Sequence, residues 1–88
     1  METKPRRLSA MKNIGKQTEG WLNKAGIYTP EDLASMGAVE AWKRMRDLEP
    51  KASLLGLYAL EAALMNIDWR DLPADIKAQL KQTASDIE

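Results

Sequence analysis

The stretch Ala25-Gly26-Ile27-Tyr28-Thr29-Pro30-Glu31-Asp32 ends one helix and starts another with almost no chain between them, which leaves few folds open. Gly26 suits the residue just past a helix end, where a left-handed conformation costs glycine little. Thr29 is a preferred N-cap, Pro30 fits the first helical position, and Asp32 lies three residues after the cap, the spacing of a capping box. Upstream, Asn13-Ile14-Gly15 forms a small apolar hinge that opens a helix carrying Thr18, Trp21, Leu22 and Ala25 on one stripe. Met11 to Gly37 therefore reads as a helix, a tight hairpin and a helix, the outline of a helix-hairpin-helix unit.

The same punctuation continues downstream. Leu33 and Met36 form the core pair of a helix from Pro30 to Met36, which Gly37 ends. Ala38 to Leu48 follows, with Val39, Trp42, Met45 and Leu48 three apart, and with Glu40, Lys43, Arg44, Arg46 and Asp47 as a solvated face. Pro50 closes that element, because the residue before a proline is pushed out of helical geometry. Ser53 caps Leu54 to Ile67, which is apolar on almost every side and is expected to run through the middle of the domain. Glu61 within it is expected to be a buried acceptor, since a buried carboxylate needs backbone N–H groups or an arginine. Pro73 then opens a last helix with the stripe Ile76, Leu80, Ala84 and Ile87. No segment alternates as a strand does. The prediction is all-α: a compact single domain of about five to six helices over 8–88, after a flexible basic arm over 1–7.

Composition then narrows the chemistry. The chain has neither cysteine nor histidine, which removes most routes to zinc binding and to nucleophile–base catalysis near neutral pH. No cofactor, metal or catalytic residue is expected, and the chain is not read as an enzyme. Met1 to Ala10 lacks an apolar targeting run, and Ala52 to Leu60, the longest uncharged stretch, falls short of the roughly 20 residues that span a bilayer. A cytoplasmic protein without a membrane partner is the expectation.

Thirteen basic and 13 acidic residues cancel, so the chain is not a generic polycation, but the charges are unevenly placed. Lys4, Arg6, Arg7, Lys12, Lys16 and Lys24 face only Glu2 and Glu19 before residue 25, whereas Glu61 to Glu88 is biased acidic. Amide groups at a helix start have no intrahelical partners and the helix dipole makes them mildly positive. Lys12, Asn13, Ile14, Gly15, Lys16, Gln17 and Thr18 are therefore the candidate nucleic-acid-binding residues. Gly15 is expected to need a missing Cβ, either for a positive φ or for a close approach, and Gly20 to be offset by tight packing against a neighbouring helix. Trp21 is expected in the core.

Asn13-Ile14-Gly15, Trp21-Leu22, Ala25-Gly26-Ile27, Thr29, Asp32-Leu33, Gly37-Ala38-Val39, Leu57-Tyr58-Ala59-Leu60-Glu61-Ala62, Trp69 and Leu72-Pro73 together resemble the C-terminal domain of the TfoX/Sxy family of bacterial competence regulators. The resemblance spans about Leu8 to Leu80 and implies a stand-alone form of that domain, helical, with a helix-hairpin-helix-like start and a link to regulation of DNA uptake in transformation. The family commonly has Leu-Pro before the hinge and Pro after it, where this chain has Met11-Lys12 and Lys16, which adds charge there. Two functions stay open. One is weak DNA binding through phosphates, without sequence specificity, helped by the basic arm. The other is a protein-interaction or adaptor domain that docks a partner near Tyr28, Met36 or Trp42.

Overall fold

A few residues with special backbone chemistry set the helix ends in the computed structural model, which describes residues 7–87. A 3-10 turn, Leu8–Ala10, precedes α1 (Lys16–Lys24), α2 (Pro30–Met36), α3 (Ala38–Leu48) and α4 (Leu54–Leu64); a second, Trp69–Asp71, leads into α5 (Ala74–Ile87). The fold is all-α, with five helices and no strand among the described residues. None of these helices is long and apolar enough to cross a membrane. The expected arm over 1–7 lies outside the described residues except for Arg7.

At the end of α1, Gly26 takes φ +87°, its N–H donates to the Asn23 carbonyl at 3.0 Å, and the Ile27 N–H donates to the Leu22 carbonyl at 2.9 Å. This Schellman arrangement recurs after α4 on Asn66, at φ 59°, with Ile67 donating to the Ala62 carbonyl at 3.0 Å. The left-handed Asn66 stops α4 at Leu64, short of the Ile67 expected from hydrophobicity. At α2 the capping box forms: the Asp32 N–H donates to Thr29 Oγ1 at 3.0 Å and the Thr29 N–H to Asp32 Oδ2 at 3.2 Å. Gly37, at φ +87°, donates to the Leu33 carbonyl at the end of α2 while its own carbonyl accepts from Ala41 in α3. One glycine thus joins two helices with no loop.

The packing hub is α3, which touches α1, α2, α4 and α5. Ala38, Ala41, Trp42 and Met45 are all buried on it, at i, i+3, i+4 and i+7. Leu48 is 56% exposed, because a spacing of three falls about 60° short of a full turn and the expected stripe drifts around the helix. Trp42 is 1% exposed and cannot dock a partner; its Nε1–H donates to the Ser53 carbonyl at 3.0 Å. The Arg46 guanidinium lies 5.3 Å from the indole centroid and also donates to the Ala52 carbonyl. These contacts hold the α3–α4 connection on the hub.

α4 is therefore a flank rather than the central helix. Leu55 is 54% exposed and Met65 39%, and the apolar all-round pattern could not say which side would be left open. Glu61 is only half-buried, and its carboxylate makes no hydrogen bond or ion pair among the described residues, so it is not the buried acceptor expected. That place belongs to Glu19, 7% exposed.

Asn13 ties the two ends of the domain together. It sits at φ 71°, its Nδ2 donates to the Ile67 carbonyl at 2.8 Å, and its Oδ1 accepts from the Trp69 N–H at 3.0 Å. Unfolding in urea should show Asn13→Ala destabilised by about 2 kcal/mol, because two backbone groups lose partners and alanine is strained at positive φ. Glu61→Gln should stay within about 0.5 kcal/mol of wild type.

Candidate nucleic-acid interface

The seven residues singled out in the sequence lie together at the start of α1 but divide into two groups. Ile14 is 4% exposed and joins the core beneath the turn, and the Asn13 side chain is fully engaged by Ile67 and Trp69. Lys12, Gly15, Lys16 and Gln17 are exposed, and Thr18 is half-buried beside them. The N-cap is Gly15, which has no side chain to cap the helix, and the first bond into the helix is Glu19 N–H to the Gly15 carbonyl at 3.0 Å. The N–H groups of Lys16, Gln17 and Thr18 consequently have no acceptor among the described residues.

These amides sit at the positive end of the α1 dipole, where an acid is stabilising and a cation is not. The single acid of α1, Glu19, does not serve them. Its carboxylate turns inward, accepting from the Arg7 guanidinium and from the Ser9 N–H, each at 3.0 Å. The hydrogen bond from Arg7, then that from the Ser9 amide, lower its pKa and keep it ionised. Arg7, read from sequence as part of a phosphate-binding arm, is thus held by Glu19. On the other side of the turn, Asp68 is held ionised at about 2, chiefly by its hydrogen bonds from Arg70 and last by the field of Lys12. Lys12 and Asp68 feel each other's field, a proximity of distant segments that the separate basic and acidic ends of the sequence did not anticipate.

The hairpin that joins two helices is Gly26–Tyr28, whereas Asn13–Gly15 follows only a three-residue 3-10 turn. Its amides are not open. Asp32 Oδ2 accepts from the Tyr28 N–H at 3.0 Å as well as from Thr29, so a carboxylate of the chain already fills the position an anion would take. The two glycines of the α1 region also differ from expectation. Gly15 is extended at φ −94°, and a Cβ on it or on Gly20 would meet nothing within 4 Å. Gly20, in a helix interior, costs about 1 kcal/mol relative to alanine and is not offset by packing.

Sequence reasoning missed the groove beside this site, a space of about 530 Å³ lined by Trp21, Trp69, Leu55 and Ala59 together with the charged Lys51 and Asp68. Trp21 is half-buried there, packed against the core cluster with one side left to the groove. No local signal pairs Asn13 with Trp69, since the contact bridges 56 positions. Among the described residues no group of three or more acids is placed to hold a metal.

A compact α-helical array whose first two full helices are joined by a Gly26–Tyr28 hairpin defines a small helix-hairpin-helix domain. The sequence matches the model of the TfoX C-terminal domain over residues 4–84, and the chain belongs to that family. It is similar to an uncharacterized protein from Listeria monocytogenes solved in a triclinic crystal form, with 38% identity, a TM-score of 0.90 and 93% of each chain covered. It is also similar to a protein of unknown function from Listeria monocytogenes solved in a tetragonal form, with 40% identity, a TM-score of 0.88, and 92% of this chain and 100% of that one covered. No curated protein matches the sequence.

The Glu19 latch has a definite pH signature. A carboxyl whose folded pKa is lowered contributes stability that is full above its unfolded value, about 4.3, and is lost as pH falls through the folded value. Glu19→Gln should melt lower than wild type at pH 7. Thermal melts between pH 7 and pH 3 should then show a smaller drop for the variant, with Asp68 contributing to the residual drop.

Proposed function

We propose that this domain binds nucleic acid through the phosphate backbone, without sequence specificity, as a non-enzymatic module of the competence-regulator type. The observation that carries the reading is the unpartnered amide row Lys16–Thr18 with Lys16 at the first helical position and Lys12 beside it. Two lysines at the positive end of a helix dipole disfavour the free domain and favour one carrying an anion. α3 and α4 also start without a side-chain cap, so what supports assigning the α1 start to a ligand is the lysine at its first position with Lys12 beside it, in contrast to α2, whose start is filled by Thr29 and Asp32. The TfoX/Sxy link to regulation of DNA uptake, which the family membership brings with it, points the same way. Such a module would work in the cytoplasm.

With a few amides and two lysines in contact, binding is weak and falls with salt at a slope of about −2 in log–log form. Base edges are not read, so duplexes of different sequence bind alike.

A second reading, docking of a protein partner, rests on the groove lined by Trp21, Trp69 and Leu55 next to the same turn. An apolar complex there would be nearly indifferent to salt. Tyr28, 61% exposed, and half-buried Met36 remain candidates for such a surface; buried Trp42 does not.

Fluorescence anisotropy of a short labelled duplex, titrated at low and moderate salt, tests the proposal. Wild type should bind and weaken with salt, and Lys12→Glu/Lys16→Glu should lose binding while keeping its helical circular dichroism. Gly15→Asp should also weaken binding, because its carboxylate would cap the same amides, while raising stability by about 0.5–1 kcal/mol. Absence of wild-type binding at low salt sinks the proposal.

A further inference from the structure

We infer that the phosphate contact does not stop at the start of α1 but runs along its outward face, with Gly20 as the point of closest approach of a duplex backbone. The inference rests on the phosphate reading above and extends it to residues outside the turn. Lys16, Gly20 and Lys24 are four apart and so lie in line on one side of the helix. Lys16 and Lys24 are exposed, as are Gln17 and Asn23 on either side of the line, and the one carboxylate of the helix, Glu19, borders this face about 100° round from Gly20, where it is buried and neutralised by Arg7. The face is therefore cationic and polar along its whole length, the complement of a polyanion rather than of an apolar protein surface.

Gly20 supplies the second observation. A glycine in a helix interior weakens the helix, and this one lends nothing to internal packing, because a Cβ there would meet open space within 4 Å. Its missing side chain leaves the α1 backbone bare at the midpoint between the two lysines. A rise of 1.5 Å per residue puts those lysines about 12 Å apart along the axis, far enough to reach different phosphates of one strand. A strand lying along this face would meet Lys16 and the open amides first, pass over Gly20, and reach Lys24.

The test uses Gly20→Gln and Lys24→Gln beside wild type and Lys12→Glu/Lys16→Glu, with the same labelled duplex titrated over a salt series and with thermal melts of each protein. Gly20→Gln should melt higher than wild type, because glutamine is the better helix former, yet bind the duplex several-fold more weakly. A purely structural glycine would not separate the two readouts in this way. Lys24→Gln should lower the salt slope by about one. If Lys12→Glu/Lys16→Glu loses binding while Gly20→Gln and Lys24→Gln match wild type in affinity and slope, the contact is confined to the turn; the face is then wrong and the phosphate site stands. If wild type binds no duplex at low salt, both are wrong.

Discussion

The amide side chain of Asn13 is the tie on which the arrangement of this domain depends. It satisfies the Ile67 carbonyl and the Trp69 N–H at once, and its own backbone is left-handed, so the chain turns there and is fixed against the connection between α4 and α5. Asparagine is one of the few residues besides glycine that tolerates that conformation, and glycine would have no side chain to reach across. The direction in which α1 leaves the turn follows from this bolt. So does the composition of the candidate site: with Asn13 fully engaged and Ile14 buried, what faces solvent is backbone N–H and lysine.

The two helix starts that follow the turns of this motif illustrate opposite solutions to one problem. Each must deal with amides that lack intrahelical acceptors. α2 answers with its own Thr29 and Asp32, the latter also accepting from Tyr28, and is electrostatically closed. α1 begins at a glycine, carries a lysine in its first position and turns its one acid toward Arg7 and Ser9. In α1, therefore, local stability has been left unoptimised on the exposed side while the buried side is fully satisfied. Buried polar groups are costly when unpaired, and no buried side-chain nitrogen or oxygen among the described residues lacks a partner; helix starts without a side-chain cap, those of α3 and α4 as well as α1, are a separate matter.

The parts of this fold that were readable in the sequence are those decided within a few residues. Gly26, Thr29, Pro30, Asp32 and Gly37 act on their immediate neighbours, and all five behave as their chemistry predicts. What was not readable depends on which surfaces meet. The uniformly apolar α4 invited a central position, but α3 holds it because its narrower stripe of Ala38, Ala41, Trp42 and Met45 lets four helices approach. Glu61 sits among apolar neighbours in sequence, whereas Glu19 lies between Thr18 and Gly20. Only the fold brings Arg7 and the Ser9 amide to Glu19 and neither to Glu61. The candidate site was likewise half legible: its amides and lysines follow from a helix start, whereas the neighbouring Asp68 and Trp69 arrive from across the chain.

Gly37 carries a mechanical consequence. A helix of seven residues, such as α2, is too short to persist by itself in water, since closing its first turn costs more than so few bonds return. Because the Gly37 N–H completes α2 and the Gly37 carbonyl begins α3, the last bond of one helix and the first of the next share a single peptide neighbourhood. α2 cannot fray from its C-terminal end without loosening α3, and α3 is held by contacts with four other helices. The pair therefore opens and closes as one cooperative unit, whose amides would exchange with solvent on the slow timescale of the hub rather than on the fast timescale of a short surface helix.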